Sequence, residues 1–113
     1  MIEEGKRPGE FLISEGEGAI SRDSVTLKKR AALYEAGTIL GRESSTGLFK
    51  AFDPAATDGT QTAVGVLLDN VDASAANRQA VAITRLAEVD GSLLVGDVAA
   101  AKDDLAASHV IVR

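Results

Sequence analysis

Short apolar stretches, broken at close intervals by glycine, proline, asparagine and aspartate, predict a mainly β chain. The expected architecture is one compact domain with a short C-terminal helix, preceded by a flexible N-terminal arm. Three observations carry this reading. Period-two alternation recurs at residues 25–27, 48–52 and 79–85. The run Ala63-Val64-Gly65-Val66-Leu67-Leu68 is nearly continuous in apolar side chains, as in a strand buried on both faces. Only the stretch after Gly96-Asp97 keeps helical spacing, with Val98, Ala101 and Leu105 on one side.

Residues 1–10 are polar and contain Gly5, Pro8 and Gly9, so alone they cannot bury enough apolar surface to order. The arm is drawn at residues 1–18 and the β-rich domain at 19–113. Within the arm, Phe11-Leu12-Ile13 is a strongly apolar triplet followed by the turn-like Gly16-Glu17-Gly18. Two readings of that triplet stand together: an edge strand on its own domain, or a docking strand that adds to another chain.

Val25-Thr26-Leu27 reads as a strand end, and residues 28–36 as one helical turn or a loop closed by Gly37. Thr38-Ile39-Leu40 and residues 48–52 form a hairpin around the Ser44-Ser45-Thr46-Gly47 turn. Asp53-Pro54 breaks the second strand, since proline lacks a backbone donor and restrains the residue before it. Asp58-Gly59 turns the chain into residues 63–68, where Gly65 signals a bulge or a close backbone approach. Residues 79–85 place Val81 and Ile83 on one face, with Ala80, Ala82 and Thr84 on the other. A short return around Asp90-Gly91 leads to the helix, capped by Gly96-Asp97, on which Lys102, Asp103 and Asp104 are expected to face water. The closing strand, residues 109–113, puts Val110 and Val112 on a shared face.

Composition removes several functions. A net charge of −5 lacks the basic surplus that nucleic acid binding requires, and Lys28-Lys29-Arg30 is short and flanked by Asp23 and Glu35. It reads as a solvated loop or a salt-bridging site for a partner. The absence of cysteine excludes disulfides and thiol chemistry and suits a reducing cytoplasm. No apolar run approaches the roughly 20 residues of a membrane span, and residues 1–10 lack the apolar core of a signal peptide.

Catalytic signals are equally sparse. His109 is the single histidine, without the companion ligands of a zinc site or the partners of a triad. Asp53 and Asp58 share a turn-rich loop, but the sixth position of a calcium loop begun at Asp53 is Asp58 where glycine is needed. Turn capping accounts for both. Gly16-Glu17-Gly18 lacks the third glycine of a phosphate loop and carries an acid, and G-x-S-x-G is absent. No catalytic, cofactor-binding or metal-binding residue is assigned, and the chain is read as a non-enzyme.

Four segments are similar to one family. EFLISEGEGAISRDSVTL (10–27), AGTILGRE (36–43), FDPAATDGTQTAVGVLLDNVDA (52–73) and the ending HVIVR after an alanine-rich helix resemble the head decoration proteins of lambda-like tailed bacteriophages. The likeness spans roughly residues 8–113, as for a complete chain. KKRAALYEA (28–36) is more charged and less turn-like than the family pattern. The resemblance implies a β-clip domain assembling as a homotrimer, made in the bacterial host cytoplasm and mounted on the outer capsid surface of the virion. Such trimers bind the major capsid protein at three-fold sites once the shell has expanded, and brace it against packaged DNA. On this chain the docking role falls to Glu10, Phe11, Leu12, Ile13 and Ser14, with Phe11, Leu12 and Ile13 as apolar anchors. No cofactor is implied. A stand-alone oligomeric β-domain binding another protein or a carbohydrate is the competing expectation.

Overall fold

A computed structural model of the chain describes residues 11–15 and 21–113. The alternation seen in the sequence becomes pairing between β2 (Arg22–Leu27) and β6 (Arg78–Ile83), antiparallel from Arg22 opposite Ile83 to Leu27 opposite Arg78. Val25 and Leu27 are buried while Arg22 and Ser24 face out, the two-residue period of a strand with one wet face. β3 (Ile39–Arg42) and β4 (Phe49–Ala51) make the expected hairpin, and β5 (Ala63–Leu67) lies antiparallel to β3 and β6. A parallel contact of Leu27 with Phe49 joins β2 to β4 and closes a barrel in the order β2-β4-β3-β5-β6.

A second sheet has the order β1-β7-β8, from β1 (Leu12–Glu15), β7 (Ala87–Val89) and β8 (Val110–Val112). β7 and β8 run parallel, which a tight turn cannot achieve, and α1 (Val98–Ala107) supplies the crossover. The Asp97 carboxylate caps α1 by accepting the Ala100 N–H at 3.0 Å. Ala101 and Leu105 are its buried positions, as their spacing predicts.

Burial divides into two clusters that meet across the barrel wall. Val25, Leu27, Tyr34, Leu40, Leu67, Ala73 and Ala82 make one. Phe11, Ile39, Phe52, Val66, Ile83, Val89, Leu105 and Val110 belong to the other, which also takes in the second sheet and α1. Adjacent residues of β3, β5 and β6 (Ile39 and Leu40, Val66 and Leu67, Ile83 and Ala82) go to opposite clusters. Hence the unbroken apolar run at residues 63–68: β5 serves a cluster on each face, with Val64 alone half-buried. Both consequences expected of Gly65 occur. The β3–β5 register shifts beside it, and a Cβ there would lie 2.9 Å from the Ile83 carbonyl oxygen. At Gly41 the approach is closer, with a Cβ falling 2.6 Å from the Thr60 Cα.

Three expectations are refined. Residues 28–36 form a loop rather than a helical turn, since Tyr34 is drawn into the core and bridges Val71. Asp104 does not simply face water, for its carboxylate accepts the Ala63 N–H at 3.0 Å and ties α1 to β5. Residues 11–15, drawn within the arm, are part of the domain, as the edge-strand reading of the triplet has it: β1 pairs with β7 and Phe11 enters the core. Burial of a phenyl ring and three register pairs hold these residues in the fold. The remainder of the expected arm, 1–10 and 16–18, lies outside the described residues, as do Ala19 and Ile20.

Candidate docking surface

β1 lies at one edge of its sheet, so among the described residues no strand lies beside its outward backbone groups. Such an edge is a template for pairing with another chain unless it is covered. The sequence assigns five docking residues here, and the structure separates them. Glu10 lies outside the described residues. Phe11 is 1% exposed, an anchor facing its own core and not a partner. Leu12 is half-buried and packs against the same cluster. Ile13 and Ser14 turn outward, and Ile13 is 53% exposed. The reason is an irregular register: Leu12 opposes Val89 and Ser14 opposes Glu88, leaving Ile13 as the extra residue of a bulge.

Beside this edge a groove of about 380 Å³ runs over Ser14, Leu86, Glu88, His109 and Ile111. Its corner is built from two non-glycine residues at positive φ, Leu86 at 52° and His109 at 60°. A left-handed conformation is uncommon for a residue as bulky as leucine. It is held because the Leu86 N–H donates to the Ser108 carbonyl at 3.3 Å and the Ala87 N–H to the His109 carbonyl at 3.0 Å. Ile13, Leu86 and Ile111 are thereby exposed apolar side chains on one sheet and its corner.

Ion pairs fix the rim. Arg22 grips Glu15 with two N–H groups, at 2.9 and 2.6 Å, tying the end of β1 to the barrel. Those hydrogen bonds hold the Glu15 carboxyl below the usual carboxylate range. Arg113 does the same for Glu88 at 2.9 Å, with a smaller contribution from Ser14. Both carboxylates therefore stay ionised, and the groove presents apolar side chains inside a border of ion pairs.

A second concavity lies on the barrel, between the loops at 28–34 and 53–60, and shares no lining residue with the first. Glu43 accepts from Lys28 at 3.0 Å and pairs with Lys50 at 3.4 Å, and Lys50 also reaches Asp58 at 2.5 Å. Hydrogen bonds, from Thr46 first and then Lys28, hold the Glu43 carboxyl below its ordinary range. Asp58 is lowered more strongly, by Lys50 first and then by Thr60. Asp53 caps its own turn by accepting the Ala55 N–H at 3.0 Å. No group of three or more His, Cys, Asp or Glu able to hold a metal ion occurs among the described residues.

Sequence reasoning missed most of the groove. Ile111 was within reach, because placing Val110 and Val112 on a shared inward face sends Ile111 outward. Leu86 carried no such signal, since nothing in its neighbours announces a positive φ. A sequence model of the family described as Bacteriophage lambda head decoration protein D matches residues 1–110 of the chain. No curated protein matches it in sequence.

Proposed function

Because the chain belongs to the bacteriophage lambda head decoration protein D family, we propose that it decorates a phage capsid as a homotrimer, docking through its N-terminal region. The family's role is structural: it implies binding to phage capsid proteins and a place in the virion. The finer reading places the trimer at three-fold sites on the outer face of the expanded shell, where it braces the major capsid protein against packaged DNA. The observation that supports the docking role is the bulged edge of β1. There Ile13 and Ser14 face outward from a strand whose other side is anchored by Phe11.

The physics of such a contact is modest per copy. One short strand edge and one apolar side chain leave little affinity after ordering costs. Three edges on one rigid body engage together, and effective concentration raises avidity by about 10²–10⁴ over a single edge. A protein that recognises only the expanded lattice stabilises that state by its difference in affinity. Residues 1–10, Glu10 among them, extend the contact.

Electron microscopy of purified shells, expanded and unexpanded, tests this with wild type, a variant lacking residues 1–10, and Ile13→Asp. Wild-type density is expected at three-fold points on expanded shells alone. Ile13→Asp should decorate weakly, because a carboxylate would be desolvated at the contact without a partner. Since Ile13 is exposed, the variant stays folded, which circular dichroism verifies. Undiminished decoration by both variants would remove the N-terminal region from the interface.

A further inference from the structure

We infer that the cationic cleft between the loops at 28–34 and 53–60 is a receptor for an acidic polypeptide segment. The cleft encloses about 640 Å³; Lys28, Lys29, Arg30 and Lys50 line it with Asp53 and Asp58, and Glu43 pairs with Lys28 and Lys50, which leaves the excess positive charge on Lys29 and Arg30. On a chain of net charge −5, this is a positive recess in an acidic molecule.

The cations divide into two roles. Lys28 and Lys50 are committed to Glu43 and Asp58 and build the wall. Lys29 is exposed and makes no ion pair among the described residues, yet its backbone is fixed, its N–H donating to Asn77 Oδ1 at 2.8 Å. Arg30 is held still with no carboxylate partner among the described residues. Its Nε donates to the Ala32 carbonyl at 3.1 Å and its Nη2 to the Leu33 carbonyl at 2.8 Å, while the guanidinium stacks on the Tyr34 ring at 3.8 Å. The ring itself is fixed by the Tyr34 hydroxyl donating to the Lys28 carbonyl at 2.6 Å. A guanidinium already ordered, with part of its donor fork unspent, loses little entropy on accepting a carboxylate.

The opposite wall selects among anions. Asp58 is paired with Lys50, while Asp53 keeps acceptor capacity that a polyphosphate backbone, having no donors, cannot use, and the chain has none of the basic surplus that nucleic acid needs. A polypeptide offers what both walls want: carboxylates for Lys29 and Arg30, and backbone N–H groups for Asp53. This cleft shares no residue with the β1 groove, so the inference does not rest on the capsid reading.

The test is a low-salt NMR titration with an acetylated, amidated hexapeptide of alternating Glu and Gly. Its Gln-for-Glu counterpart, inorganic phosphate and a short single-stranded oligonucleotide serve as comparisons. Saturable amide shifts confined to residues 28–34 and 50–60 are expected with the Glu peptide at millimolar concentration, and none with the Gln peptide. Lys29→Gln and Arg30→Gln should each weaken binding about three- to fivefold, the scale of one exposed ion pair. Lys29 makes no side-chain contact that the fold needs, so that variant remains informative if Arg30→Gln loosens the loop. Several results overturn the inference: absence of saturable shifts, shifts centred elsewhere, or equal binding of phosphate or oligonucleotide. So does salt-sensitive self-association that both variants abolish, which would make a second copy of the chain the occupant.

Discussion

Phe11→Ala separates the two lives of the N-terminal triplet. If Phe11 waits for a partner, the free protein should not notice its loss. If it is a core residue, as its 1% exposure states, truncation removes an aromatic from the cluster that also holds Val89, Leu105, Val110 and the barrel residues Ile39 and Ile83. Withdrawing about 150 Å² of apolar surface at about 25 cal/mol per Å² costs about 4 kcal/mol. That agrees with the range of about 3–5 kcal/mol for buried Phe→Ala. Total stability of a chain this size is about 6–17 kcal/mol, so the variant should still fold under native conditions. With a urea slope of about 1.5 kcal/mol per M, the midpoint should fall by about 2–3 M with the slope unchanged. Equilibrium urea denaturation of the isolated protein, followed by far-UV circular dichroism, reads this directly. A loss below about 1 kcal/mol would refute the inward anchor and return Phe11 to the docking surface.

Gly41→Ala should destabilise by about 1–3 kcal/mol in the same assay, because the new methyl meets the backbone of buried Thr60 at 2.6 Å and neither side can yield cheaply. A stability within experimental error of wild type would show that the β3 to Thr60 approach is looser than described. Acid should weaken the fold in a defined direction. Glu15, Glu43, Asp58, Glu88 and Asp90 are all held below their ordinary values by hydrogen bonds, from Arg22, Thr46, Lys50, Arg113 and Ser92 respectively. The unfolded chain therefore binds protons at higher pH than the folded one. Stability is complete above the usual carboxylate range, about pH 4–5, and declines as pH falls through the lowered folded values. Urea midpoints between pH 7 and pH 2 should decrease monotonically, and a flat profile would count against these pairs.

The sequence made the strands legible wherever one face is wet or an apolar run is unbroken. β2, the β3–β4 hairpin and β5 follow from alternation, turn residues and the continuous run at 63–68. The helix follows from its cap and the spacing of Ala101 and Leu105. What stayed hidden was non-local. Tyr34 reads as part of a charged loop, and only its bridge to Val71 explains its burial. Asp104 sits in a charged triplet on a helix and reveals its bond to Ala63 only once α1 rests on β5. In the docking region the apolar triplet itself was visible. Its division into an inward Phe11 and an outward Ile13 depends on a bulge against β7, which lies more than 70 residues away in the chain.

The placement of Phe11 has a mechanical corollary. A tug applied along β1 is not met by that strand alone: the phenyl ring belongs to the cluster that includes Ile39 of β3 and Ile83 of β6, strands whose neighbouring residues Leu40 and Ala82 fill the barrel. Load entering at the rim therefore reaches the whole body through dry contacts, and local peeling must first extract an aromatic ring. A body wired in this way yields all at once rather than strand by strand.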